Sequence, residues 1–588
     1  MKLKFAFASL LVLSACGTSP ETLEALDLMQ FRENATTPGF SYAKLSGSGN
    51  DVTLEDVSFL SSPFMAAMMG MGGPGANDED ADADADEDSE ASADPVTLFK
   101  AGTVVMNGLT MKDGKPVVRD IIVNAITPAI PTGGVTVTIG QVGMEGLDEK
   151  TGAFIAGAFT EAGPGEAPPF EQWAFGRAGV NDIALKGEFE GPNGLANFDV
   201  KIRELSVSDL KDTVMGLIRI AGIAGEVNVP TEMVPVAATF DLGKLDISRL
   251  QTDFFVKPLM MAFHSGMDED ADIDMASLYA DYTSPLEAGY DKLDWTGMSL
   301  DVSGMKLSTT PLSNTLTRNA DGVVIASETP RAALTLKADS SGGMVGAMGL
   351  MFLAMGGYPS DTIEIYAGGN ASFDPAKDIT HFTGYNVGVT GVADVKMDLG
   401  LVGLKQALPA LMSAASSASS MVEDIAEPEL DEDGEPVEPD PEALSGASAA
   451  MAMQMLFALM PLQLTDLDLS ITDETLMDLI LNQQAVGAGQ SLEELRGDLV
   501  AMVEGASEFM TQAGVDEAIA TELTTATAGF LEGPGTIRIQ LKPKQPFGMM
   551  SAMMAPVTKE SLGFSATFTP APEAVPGAAP EAAAPETN

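Results

Sequence analysis

The residues able to do chemistry are few. Among 588 residues there is one cysteine and there are two histidines. With only His264 and His381 as imidazoles, a conventional zinc site lacks its preferred ligands. Asp80, Asp82 and Asp84 have the opening spacing of a calcium loop. Ala85 stands where that loop needs glycine, however, and Ala91 where it needs a bidentate glutamate, which leaves loose divalent-cation binding as the expectation there. Thioethers suit Cu(I), and Met65, Met68, Met69 and Met71, or Met451, Met453 and Met455, are spaced suggestively. Their neighbours are Leu, Phe and Ala with no histidine nearby, so packing is the expected role. No cofactor is expected.

Ser41-Tyr42-Ala43-Lys44, Ser48-Gly49-Asn50 and Lys150-Thr151-Gly152 resemble the three motifs of penicillin-binding enzymes. That chemistry needs a serine opening a helix, with the other groups brought in from separate elements. Here the first two motifs sit side by side on what reads as one strand and turn, which argues against it. Gly70-Met71-Gly72-Gly73-Pro74-Gly75 matches a dinucleotide-binding glycine pattern but runs into a polyacidic stretch that would repel a pyrophosphate, so a turn is expected. No enzymatic activity is expected.

Cys16 has the most specific context. Lys2 and Lys4 precede an apolar run from Phe5 to Leu13, the length of a signal-peptide core and too short to span a bilayer. Leu13-Ser14-Ala15-Cys16 follows and resembles the lipobox of bacterial lipoproteins. That resemblance covers residues 1 to 16. It implies cleavage before Cys16, a diacylglycerol on its thiol and an acyl chain on the new amino terminus, and several chains anchor a protein stably where one does so only marginally. Gly17 follows, not the aspartate that marks inner-membrane retention in such lipoproteins. The expectation is an envelope protein held on the outer membrane, facing the periplasm.

What must position any site is a body without disulfides, since lipid consumes the only thiol. Acidic residues number 85 against 31 basic, a net charge of −54, which argues against nucleic acid and anionic headgroups as electrostatic partners. Asn77 to Asp94 and Glu423 to Glu442 are acidic with almost no apolar side chains, so solvated linkers are expected at 77 to 94 and 421 to 446. They would divide the chain into a signal peptide (1–15), an anchored β segment (16–76), a β-rich body (95–420), a C-terminal α+β domain (447–568) and a Pro/Ala/Glu tail (569–588).

Alternation of apolar and polar residues, the period of a half-buried strand, is the commonest pattern. It appears at Val135 to Ile139, Phe198 to Ile202 and Ile537 to Leu541. A degenerate phrase recurs: LEDVS at 54 to 58, LDIS at 245 to 248, LDVS at 300 to 303 and LDLS at 467 to 470. Apolar segments rich in Met, Gly and Ala intervene, including Phe64 to Gly73, Val214 to Gly225, Leu259 to Gly266, Met344 to Gly357, Ala449 to Met460 and Phe547 to Met554. These are expected as short helices sealed in a core, or else as the lining of a groove for acyl chains. Near the C-terminus, Thr472 or Asp473 and then Ser491 to Glu494 fit helix starts, and a third helix is expected from about Val515 to Leu531.

The fold expectation is α+β with β predominating: antiparallel hairpins, short Met-rich helices and a helical insertion between C-terminal strands. Strand texture such as Leu464-Thr465-Asp466-Leu467-Asp468-Leu469 resembles the β-groove envelope proteins of the AsmA and TamB type, from which a lipid anchor in place of an N-terminal helix is a departure. Two functions follow as expectations. One is a non-enzymatic scaffold contacting other envelope proteins; the other is binding or transport of lipid, for which the apolar segments would face an open groove.

Overall fold

The computed structural model describes residues 17–61, 96–129, 134–163, 167–191, 194–230, 236–252, 283–340, 343–355, 358, 360–411, 459–548, 551 and 556–572. Cys16, Asp80, Asp82, Asp84, His264, the glycine-rich run at 70 to 75 and most Met-rich segments lie outside them. The protein is β-predominant, with antiparallel sheets and helices inserted between strands. It divides into two compact units: Met1–Leu259 with Ala288–Ser313 and Ser340–Ala347, and Met260–Glu287 with Asn314–Asp339 and Met348–Asn588.

The first unit opens with α1 (Pro20–Leu28), started by the Ser19 side chain on the Thr22 amide and by proline in its first turn. Short strands β1 (Phe31–Glu33), β2 (Gly39–Tyr42) and β3 (Lys44–Ser48) follow, then β4 (Asp51–Ser61) and β5 (Val96–Asn107). A small hairpin, β6 (Thr110–Lys112) and β7 (Lys115–Val117), leads to β8 (Asp120–Pro128), β9 (Val135–Glu145) and α2 (Glu149–Gly157). Three long strands come next: β10 (Phe175–Gly191), β11 (Gly194–Lys211) and β12 (Val214–Val229). The set ends with β13 (Val236–Asp241), β14 (Lys244–Gln251), β15 (Lys292–Trp295), β16 (Ser299–Val302) and β17 (Met305–Thr309).

Strand β4 pairs antiparallel with β5, β5 with β8, and neighbours then follow in chain order to β12. There the sheet forks. The first half of β12 pairs with β14 and so with β15, and its second half with β13, β16 and β17. Val214 to Gly225, expected as an apolar helix, is therefore strand: Ile218, Ile220 and Ile223 are β-branched and pack well on a pleated surface. A buried core gathers at the N-terminal side, where Ala25, Leu26 and Met29 of α1 meet Val52, Leu54, Val104 and Met106.

Helix α3 (Met344–Met355) bears no charged residue, yet it leaves Met348, Met351 and Phe352 more than half exposed. It is not the sealed core helix that its composition suggests.

The second unit contains β18 (Leu312–Arg318, all but its first two residues), β19 (Val324–Ala338), β20 (Thr362–Asp374), β21 (Ile379–Val389), β22 (Ala393–Val402) and β23 (Gln463–Asp473). From β18 to β23 each pairs with its successor. Three helices then follow, α4 (Leu476–Ala488), α5 (Leu492–Gln512) and α6 (Glu517–Glu532), before β24 (Gly535–Leu541) returns beside β23. Strand β25 (Phe547–Gly548) also pairs with β23; α7 (Lys559–Leu562) and β26 (Ser565–Pro570) finish the unit. The expected strand, three helices, strand order is present, with Asp473 accepting from the Met477 amide and a reciprocal Ser491–Glu494 capping box. Ile519 and Ala526 of α6 close a core over Ile537 and Ala566.

The acidic stretches 77 to 94 and 421 to 446 each fall between strands that pair with one another, β4 with β5 and β22 with β23. The division between units falls elsewhere.

Candidate functional site: an apolar trough in the first unit

The motif residues have structural work. Lys44 is bound by Glu55 at 2.6 Å, and Tyr42 is buried, its hydroxyl pKa pushed up to about 12 by burial first and then by Glu33 and Asp27. Asn50 and Gly49 form the turn onto which the chain after Cys16 docks: the Gly49 amide donates to the Gly17 carbonyl at 2.8 Å and the Ser19 amide to the Gly49 carbonyl at 2.8 Å. Thr151 is fully buried, its hydroxyl accepting from the Ala174 amide, and a side chain at Gly152 would strike the Val118 carbonyl. His381 is half-exposed, 3.7 Å from Asp466. Among the described residues no three His, Cys, Asp or Glu side chains converge as a metal site.

The register assembles something the motifs do not announce. Across β4, β5, β8, β9, β10, β11 and β12, one position of each strand is left out of the pairing at the same level: Asp56, Gly102, Ala125, Gly140, Asp182, Arg203 and Gly222 lie side by side, and a second such gap, at Gly176, Asp209 and Gly216, crosses β10 to β12. Every second one has left-handed backbone, with φ of +52° at Asp56, +54° at Ala125, +53° at Asp182 and +62° at Gly222. Several of these contacts need a glycine on one side, as where a Cβ on Gly222 would lie 2.9 Å from that of Arg203. A Cβ on Gly140 would lie 2.7 Å from the Asp182 Cβ, and one on Gly102 3.2 Å from that of Ala125. The result is a crease across seven strands, at which two consecutive residues face the same side and the alternation changes phase.

On one side of the sheet the crease carries polar residues. Asn124 donates to Thr103, Gln141 to Asn124 and Asn181 to Gln141, at 2.9, 3.0 and 2.8 Å. Arg177 then reaches Glu204 at 3.1 Å, and Glu204 accepts from Ser206 at 2.7 Å. Farther along, Asp246 is held by both Arg219 and Lys244, and the Arg219 hydrogen bond, against the opposing effect of burial, lowers its carboxyl pKa. The recurring Leu-Asp phrase has the same logic in the second unit, where Asp468 accepts from Arg538 at 2.6 and 2.8 Å.

The opposite side is apolar throughout. One row runs Leu54, Val104, Val123, Val142, Val180, Leu205, Ile220, Leu245, Trp295 across nine paired strands. On the far side of the crease a second row runs Val57, Ala101, Ile126, Ile139, Ile183, Ile202, Ile223. A third continues Val137, Leu185, Val200, Gly225, Phe240, Leu300, Leu307. From β9 onward the side chains of the first two rows are half-buried and belong to neither of the buried clusters. At about 4.8 Å between strands, nine strands span roughly 38 Å.

The N-terminal end of this face deepens into a cavity of about 240 Å³ lined by Phe31, Phe40, Phe59, Phe99, Ile126 and Phe159, among others. Phe31 stacks on Phe40 at 4.5 Å and Phe40 meets Phe59 at a tilt, 5.0 Å between ring centres, a cross-strand aromatic row of the kind that stabilises sheets. Lys100 borders the cavity through its strand, but it is registered with Ser58 and Thr127, so alternation turns its side chain to the polar face.

A second concavity, on the polar face of β21 to β26, is bordered by Lys396, Asp398, Asp468, Arg538, Thr567 and Thr569. Its charges are engaged: Arg538 with Asp468, Lys396 with the neighbouring Asp394 at 2.8 Å, while Asp398 accepts from the Gly384 amide. A family model described only as an uncharacterized protein matches residues 386–567, which include the helical insertion and most of the residues around this concavity, Gly384 and Thr569 excepted. No curated protein and no solved structure matches the chain.

Proposed function

We propose that this protein is an envelope lipoprotein, anchored through Cys16, that binds lipid or a similarly elongated apolar ligand along the trough of its first unit without catalysing a reaction on it. The observation that carries this reading is the apolar face of β4 to β17, whose rows contain no charged side chain from Leu54 to Leu307. Soluble monomers rarely leave contiguous apolar patches larger than a few hundred Å² without a binding role. At roughly 38 Å across nine strands the trough exceeds the ~30 Å hydrocarbon thickness of a bilayer, so extended acyl chains fit within it. The docking of Gly17 and Ser19 on the turn at Gly49 supports the anchoring part of the proposal. A lipid on the adjacent Cys16 would tie the membrane directly to the body with no long linker.

A scaffold reading would have these rows sealed by protein. The test is mass spectrometry of lipids retained by the body, with residues 1 to 16 replaced by a cleavable export signal and purification without detergent. Stoichiometric lipid is expected. Ile202→Glu, in the centre of the second row, should reduce retention at least tenfold, while Lys201→Glu on the opposite face should leave it unchanged, with circular dichroism confirming that both fold. A lipid-free, monodisperse wild-type protein would leave the scaffold reading in place.

A further inference from the structure

Resting on the reading of the trough as a lipid site, we infer that its ligand is a two-chain lipid without net negative charge, selected by its acyl chains and by the exclusion of anionic headgroups. The trough offers a headgroup nothing to bind. Its rows are Val, Ile, Leu, Ala, Phe, Gly and Trp, and they present neither a cation nor a hydroxyl. The one polar atom on the Trp295 ring is already spent, its Nε1 donating to the Leu242 carbonyl at 2.8 Å. Lys100, beside the aromatic cavity, points to the other face.

The cations of these strands, Lys201 and Arg203 among them, stand on that other face, and several are ion-paired there. Lys186 pairs with Asp199 at 2.6 Å, Arg177 with Glu204, and Arg219 and Lys244 share Asp246. Among the described residues, no guanidinium or ammonium is therefore presented to a phosphate or carboxylate lying along the rows. The protein as a whole carries a net charge of −54, a field that repels a carboxylate or phosphodiester anion. A zwitterionic or neutral headgroup incurs no such repulsion, while the chains gain the same burial whatever head they carry.

Width points to two chains. The first two rows flank the crease, and with the third they give a floor several residues broad along each strand, at about 3.3 Å per residue. A single chain would leave much of that floor wet.

The full-length protein, exchanged in detergent with an equimolar mixture of phosphatidylcholine and phosphatidylglycerol of identical acyl chains plus palmitate, then freed of detergent at 0.1 M salt, tests this by the lipids it retains. Phosphatidylcholine should exceed phosphatidylglycerol at least fivefold and palmitate by more. Near 1 M salt, where the screening length falls from ~10 Å to ~3 Å, the preference should shrink. Ile183→Lys, which sets an ammonium on the trough floor, should raise the phosphatidylglycerol share at least threefold. Equal or preferential retention of the anionic lipids by the wild-type protein overturns the headgroup inference while leaving lipid binding intact. Retention of no lipid overturns both.

Discussion

Asp473 combines two demands in one carboxylate. It is 3% exposed at the end of β23, and it accepts from the Met477 amide at 3.1 Å, capping α4. Burial raises its pKa against the opposing pull of the Met477 and Leu476 amides. A carboxyl whose folded pKa is raised binds its proton more tightly in the folded state, so its contribution to stability is fullest at low pH and declines as pH rises through the ordinary carboxylate range. Asp246, with its pKa lowered by Arg219, behaves oppositely, and its contribution is lost as pH falls through its depressed folded value. Asp473→Asn keeps an acceptor for the helix start and removes the buried charge. It is expected to be neutral or slightly stabilising at pH 7, whereas Asp473→Ala should cost about 1 kcal/mol, the usual worth of a cap, in urea unfolding. A larger loss for Asn than for Ala would contradict this account.

Among the elements, the crease matters most, because it lets strands of up to 18 residues keep a single apolar face while bending. Gly140 is its most demanding member. Gly140→Val would drive a branched side chain into Asp182, and overpacking of this kind typically costs about 1–3 kcal/mol. Thermal melting should register the loss, while Thr138→Val, one pleat away, should be nearly neutral. Equal effects would mean that the crease is not under steric constraint. The crease also explains what alternation could not reveal. The strands expected at Val135 to Ile139 and Phe198 to Ile202 stop where Gly140 and Arg203 break the period, and both in fact continue, to Glu145 and Lys211, with the opposite residues facing inward. A period-two pattern is blind to a phase change, which depends on a backbone conformation that Asp182 and Ala125 adopt only because neighbouring strands hold them in it.

At the scale of the whole molecule, the charge of −54 acts on every element at once. Like charges along the chain repel, and salt screens that repulsion, so Tm is expected to rise between 0.05 and 0.5 M NaCl. A fall would point to the ion pairs, such as Arg538 with Asp468, as the larger electrostatic term. Several features were legible from composition and local pattern alone, because they rest on near-neighbour physics: β predominance, the helical insertion with its Asp473 and Ser491 caps, and the placement of the Leu-Asp phrases on strands. Composition also marked the acidic stretches but could not say that they interrupt hairpins, since a run that buries nothing looks alike within a sheet and between domains. The trough was out of reach for a different reason. Its rows join residues as distant as Leu54 and Trp295, and only pairing of strands brings them onto one face. Whether a Met-rich segment becomes strand, as at Val214 to Val229, or an exposed helix, as at Met344 to Met355, was likewise settled by which partners the register supplied.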